Sequence, residues 1–395
     1  MRSCAGSAHP DQAGLISLRR TSWLHRAPGT GHRGGSLPNI ETVPQERLPD
    51  VAAAFRRVVE VHAADDYAPI YQQMAAGVST DPELLGIAGA ATAGQNPPIL
   101  LFAAVQFLLA EHPEHPLARF YPILTGRPAP AADPYPALRD FVLANRAQIM
   151  AIVTSRLVQT NEPGRSAYLY PALLTAQRLG GNRPLALIEV GSSAGLTLVP
   201  DRYGYDYGTG TRYGDPTSPL VLSCALRGEL TPPLAGTLSV AWRTGVDLNP
   251  LSLDDPADRR WLRALIWPDH PDRAHRLDVA ARAAARGPLP RIHRGDATER
   301  LPELLAQAPT DTTAVVYHTS VLTHFTAQAR TAFVPRLHEL STQRPITWIQ
   351  GEPGPDRQPG LRLALLADGQ LQAEYLLGRY QPHGVWLEWL YLPWP

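Results

Sequence analysis

Between about Glu46 and Arg178, apolar residues recur at intervals of three and four. Examples are Val51, Ala54, Phe55, Val58 and Val59, and again Leu100, Leu101, Val105, Leu108 and Leu109. That spacing lines one face of a helix. With proline-rich joints such as 127–136 between the segments, it predicts a helical amino-terminal subdomain over 46–180. At Pro184 the period changes. Leu185-Ala186-Leu187-Ile188-Glu189-Val190 is a short, mostly apolar run of the kind buried in a parallel sheet. Strand-like runs follow at 237–246, 290–293, 313–318 and 345–350, with helical patterns at 255–267, 272–285, 299–307 and 326–340. This alternation predicts an α/β domain over 181–395, built on a doubly wound, mostly parallel sheet. The runs 361–366, 372–377 and 385–392 read as antiparallel strands closing one edge.

Two stretches break the pattern. Residues 1–45, rich in Gly, Ser, His and Arg, have no apolar period and no apolar core of a secretory signal, so a disordered tail is expected. The segment 203–234, rich in Tyr, Gly and Pro, reads as a hairpin insertion. Its Tyr203, Tyr205, Tyr207 and Tyr213 either pack on the sheet or line a substrate pocket.

Composition narrows the classes of function. A chain of 395 residues that is 44% hydrophobic can bury a large core. Its most apolar run, 98–110, is interrupted by Gln106 and falls short of the roughly 18 residues a membrane-spanning helix needs. Cys4 and Cys224 support neither a disulfide framework nor a cysteine zinc site, which fits a cytoplasmic protein. All 36 basic residues are arginine. The absence of lysine excludes a P-loop lysine, a kinase phosphate-binding lysine and a pyridoxal Schiff base. Zero net charge without a basic stripe argues against nucleic acid, and singly scattered histidines argue against a metal. A small molecule is the expected partner.

The candidate chemistry gathers at Glu189-Val190-Gly191-Ser192-Ser193-Ala194-Gly195. Glycines after a buried strand permit a sharp turn and a close approach to a ligand, and a helix starting near Ala194 would offer unpaired N–H groups to it. By itself the loop fits a tight turn, a nucleotide cradle or a nucleophile elbow. Three carboxylates lie at expected strand ends: Glu189, Asp247 in Gly-Val-Asp-Leu-Asn-Pro, and Asp296 in Gly-Asp-Ala. Open α/β sheets bind ligands there, although the last two residues also suit helix capping.

The succession Glu-x-Gly-x-x-x-Gly, Gly-x-Asp-x-Asn-Pro and Gly-Asp-Ala over about 184–353 resembles the motif series of class I S-adenosylmethionine-dependent methyltransferases. The resemblance implies a Rossmann-like, methyltransferase-type sheet and S-adenosylmethionine as cofactor. It implies Glu189, Gly191, Ser192, Ser193 and Gly195 beside the methionine moiety, Asp247 on the ribose, and Asp296 with Ala297 bordering the adenine. Ser193 stands where the middle glycine is usual, and the gap from Gly195 to Asp247 is long, which keeps Asp206 in reserve for the ribose. From about Ala52 the chain also resembles a bacterial family called domain of unknown function 2332, through Val158 to Glu162, Glu189 to Gly195, Asp247 to Leu251 and His383 to Trp389. That likeness supplies no activity.

For methyl transfer to oxygen or nitrogen a base is needed. His318, ending the fourth strand, is the expected proton acceptor, with Glu352 and His383 as further candidates. The segment Thr160-Asn161-Glu162-Pro163-Gly164-Arg165 either caps the next helix or covers the cofactor with Arg165 pairing a carboxylate. Gly-Ser-Ser193-Ala-Gly also matches a hydrolase nucleophile elbow, with Asp296 and His318 or His383 completing a triad. A methyltransferase-like fold without catalysis is the third alternative.

Overall fold

Proline opens most of the amino-terminal helices, where its fixed φ suits the first turn and its missing N–H costs nothing. In the computed structural model, which describes residues 45–62, 67–354 and 356–392, seven helices precede Gln159. They are α1 (Leu48–His62), α2 (Pro69–Val78), α3 (Pro82–Gly89), α4 (Pro97–Leu109), α5 (Pro122–Thr125), α6 (Tyr135–Ala144) and α7 (Arg146–Ser155). The expected tail lies outside the described residues except for Gln45. Asp81 caps α3 through the N–H groups of Glu83 and Leu84, and Asn96 caps α4 through that of Ile99. α4 is apolar almost all round, as a fully enclosed helix must be. Its one polar side chain, Gln106, donates to the carbonyls of Arg263 and Ile266.

That bond helps explain why the first compact unit comprises residues up to Gln159 together with Arg260–Ala274. Trp261 donates to the Leu157 carbonyl, and Trp267 stacks on Tyr71 with centroids 4.5 Å apart. The second unit comprises Thr160–Arg259 and the chain from His275 onward. The division thus falls before α8 (Ser166–Leu179) rather than at 180, because α8 belongs with the sheet; its residues Ser166 to Ala176 are buried. The remaining helices are α9 (Pro256–Ala264), α10 (Pro271–Ala284), α11 (Ala297–Gln307) and α12 (Ala327–Ser341).

The second unit is α/β with a large mixed sheet. Its strands are β1 (Leu185–Val190), β2 (Gly204–Asp206), β3 (Arg212–Gly214), β4 (Val221–Ser223), β5 (Ala225–Arg227), β6 (Val240–Asp247), β7 (Arg291–Arg294), β8 (Thr313–Thr319), β9 (Ile346–Pro353), β10 (Pro359–Ala367), β11 (Gln370–Tyr380) and β12 (Trp386–Trp389). Nine form one sheet in the order β5-β12-β11-β10-β9-β8-β1-β6-β7. Neighbours from β9 to β7 pair in parallel; β9 to β12 pair antiparallel. The 203–234 insertion is more than a hairpin. β3-β2-β4 make a small separate sheet, while β5 joins the large one beside β12. Among the described residues, no helix is long and apolar enough to cross a membrane.

Side chains alternate across the sheet. Ile188, Val190, Val246, Ala314, Val316, Ile346 and Trp348 pack in one cluster with Leu301 and Leu305 of α11 and Phe333 and Leu337 of α12. Leu187, Glu189, Val315, Tyr317 and Thr319, in alternate register, therefore face the other side. From β1 the chain steps outward to β6 and β7, then returns across β1 to β8. The carboxyl ends of β1 and β8 consequently form a topological switch point, the place where open α/β sheets bind their ligands.

Candidate functional site

Glu189 is the last but one residue of β1 and is 3% exposed. Its Oε1 accepts from the Thr197 hydroxyl, and its Oε2 is buried with no hydrogen-bond partner. Burial pushes its carboxyl up to about 8; Thr197 and Arg165 pull it down in part, and Asp247 adds to the rise. At neutral pH Glu189 is therefore mainly a neutral acid held in the interior.

The loop that follows places residues 191, 193 and 195 in the left-handed region, with φ of 70°, 51° and 74°. Glycine suits two of these positions, and Ser193 takes the third under restraint from both sides. Its N–H donates to Asp247 Oδ2 at 2.8 Å, and its carbonyl accepts from the Leu251 N–H. Asp247 Oδ1 accepts from the Asn249 N–H, so this carboxylate fastens the loop to its own turn. Asn161 fastens the other side, accepting from the Leu196 N–H and donating to the Ser192 carbonyl.

No α-helix follows the loop, contrary to expectation. Two short 3-10 turns, Leu196–Leu198 and Pro200–Arg202, stand there instead. Gly195 is left-handed at the point where a helix would begin, the Leu196 N–H is spent on Asn161, and Pro200 disfavours a helical Val199. The row of free helix N–H groups is missing. Val321 also covers the loop: a Cβ on Gly191 would come within 2.4 Å of its Cγ2.

The other sequence candidates separate. Asp296 caps α11 by accepting from the Thr298 N–H and hydroxyl, and Ala297 is buried in the core cluster. Asp296 still lies two residues beyond the end of β7, and the N–H of the intervening Gly295 donates to the Asp247 carbonyl. Asp206 lies in the small sheet, not the large one, and accepts from the Gly208 N–H in a turn. The hydroxyls of Tyr203, Tyr205 and Tyr207 are buried and donate to the carbonyls of Leu196, Pro200 and Ala167, so these rings pack.

His318 and Glu352 do meet, on the sheet face opposite to Glu189. His318 Nδ1 lies 2.8 Å from Glu352 Oε1, and Trp348 Nε1–H donates to His318 Nε2 at 3.1 Å. An indole N–H only donates, so Nε2 carries the lone pair and the ring proton is on Nδ1. Neither nitrogen is left to take a proton from a ligand, and the ring is fully buried. The expectation that His318 is the base fails on this geometry. Burial alone would raise the Glu352 carboxyl; hydrogen bonds from His318 and from the Val321 and Leu322 N–H groups hold it below its ordinary value. The pair fixes the turn after β8.

Ser193 carries an unbonded, buried hydroxyl. His318 is committed elsewhere, and His383 Nδ1 lies 3.8 Å from Glu162 Oε2. The triad does not assemble, and the elbow's helix is absent as well.

Sequence reasoning passed over His324. It follows the turn fixed by Glu352, and its side chain is exposed, yet the surrounding protein desolvates it enough to lower its pKa, an effect that Glu352 and Asp247 oppose and Arg165 reinforces. Its only sequence signal was its position just beyond the carboxyl end of β8.

A family model described as "Uncharacterized protein conserved in bacteria (DUF2332)" matches residues 52–389. The chain belongs to this family. No curated protein matches this DUF2332 member. Among its described residues, no group of three or more His, Cys, Asp or Glu side chains is arranged to hold a metal ion.

Proposed function

We propose that the second unit is a Rossmann-like S-adenosylmethionine-binding domain and that the protein is a methyltransferase acting on a small molecule. The observation that carries this reading is Glu189: a buried carboxyl with an unpartnered Oε2, at the end of β1, beside a loop with three left-handed residues. Burying such a group without a partner is costly, and a polar ligand would satisfy it. The hydroxyls of Ser192 and Ser193 are likewise buried and unbonded.

These groups suit the amino-acid part of the cofactor. Asp247, at the carboxyl end of β6, is the carboxylate that the motif resemblance sets against the ribose hydroxyls. Asp296 and Ala297, beyond β7, lie next along the same edge. When bound, the cofactor would supply an electrophilic methyl group. The chain's own contribution is to hold the loop rigid through Asp247 and Asn161 and to position the β8 turn through His318 and Glu352. On this reading Val321 moves off Gly191 when the site fills.

Titration calorimetry with S-adenosylmethionine and S-adenosylhomocysteine tests the proposal. Saturable binding that Asp247→Ala weakens about tenfold or more, with the variant still folded by its thermal melt, is the expected result. Absence of binding at about millimolar ligand would overturn it.

A further inference from the structure

Arg165 is held at one end only. The chain reaches it through the 3-10 turn Pro163–Arg165, whose Gly164 N–H donates to Glu162 Oε1, and leaves it into α8. Its Nη1 donates to the Thr319 carbonyl at 3.0 Å and to the Thr319 hydroxyl at 3.3 Å. Its Nε–H is buried and has no partner, and among the described residues no hydrogen bond engages Nη2. Nε and Nη2 form the side-on edge of a guanidinium, which can bind a carboxylate through two parallel N–H···O bonds. Thr319 thus fixes the plane of the group while leaving one complete fork open.

The chain's own carboxylates do not fill that fork. Glu189 is near enough for Arg165 to lower its pKa, yet its one bond goes to Thr197. Glu352 bonds His318 and the turn amides. Glu162 turns to Gly164, with Arg276 Nη1 3.6 Å from its Oε1 and His383 Nδ1 3.8 Å from its Oε2. A buried N–H of a cation left unpaired beside uncommitted carboxyl oxygens is an unfavourable arrangement unless something enters from outside.

We infer that the Nε–Nη2 edge of Arg165 is a binding site for a small carboxylate. The carboxylate has two available sources: the amino-acid part of the proposed cofactor, in which case the inference rests on that reading, or a separate acceptor molecule. Glu189, as a neutral acid nearby, does not repel it as an ionised neighbour would.

The test uses the full chain and two ligand pairs, measured by calorimetry on wild type, Arg165→Gln and Arg165→Lys. S-adenosylhomocysteine is compared with 5′-methylthioadenosine, which lacks the amino-acid group, and benzoate with benzamide. In at least one pair the carboxylate binds about tenfold or more tightly in wild type, a preference that Arg165→Gln erases and Arg165→Lys partly keeps. Loss of the preference in the nucleoside pair assigns the carboxylate to the cofactor; loss in the benzoate pair alone assigns it to an acceptor. A preference that survives Arg165→Gln, or no preference in either pair, overturns the inference. If neither nucleoside binds, the cofactor reading fails and the benzoate pair alone decides the Arg165 site. Arg165→Lys keeps a charge against Thr319, so a folding defect confined to Arg165→Gln would not mask the answer.

Discussion

Replacing Glu189 by Gln removes one buried proton-binding group while keeping an acceptor for Thr197. Burial, reinforced by Asp247 and partly offset by Thr197 and Arg165, carries the Glu189 carboxyl from 4.5 to about 8. Between those values the folded chain keeps the proton that the unfolded chain has released. The folded state therefore binds more protons than the unfolded state, and stability falls as pH rises. The Glu189 contribution is whole below about pH 4.5, declines across the interval and levels off above about 8. At about 1.36 kcal/mol per pH unit, the interval is worth on the order of 5 kcal/mol. Urea denaturation of wild type and Glu189→Gln across that range measures it, because titrations common to both chains cancel in the difference. The variant should gain on wild type by several kcal/mol from the acid end to the alkaline end. Stability curves that run parallel would show that Glu189 does not titrate in a dry interior, and the main support for a ligand at Oε2 would go with it.

Two further outcomes concern the roles of His318 and Ser193. His318→Ala removes one of the three donors to Glu352 Oε1, strands the buried Trp348 N–H and opens a cavity in the core, so it should cost about 3 kcal/mol of unfolding free energy. A loss under about 1 kcal/mol in urea denaturation would mean that the network is not formed. A fluorophosphonate probe should leave the native protein unlabelled, since the Ser193 hydroxyl has no histidine partner; labelling that disappears in Ser193→Ala would restore the hydrolase reading.

Period and composition were enough to locate β1, β6, β8, β9 and the helices α11 and α12 to within a few residues, because each must present apolar side chains at a fixed repeat to one core. They also indicated Gly191 and Gly195, whose left-handed backbone only glycine adopts freely. The sequence did not reveal which face of the sheet each polar residue would occupy. Glu189 and His318 both end strands, and only the register of β1 against β8 sets one beside Arg165 and the other beside Trp348. The helix expected at Ala194 was a local inference defeated by distant residues: Asn161 and Asp247 bind the loop's own N–H groups, and no local propensity encodes that. The open fork of Arg165 is likewise tertiary. A sequence fixes that an arginine is present; whether its donors are spent on Thr319 or left for a ligand depends on the strand that folds up beside it.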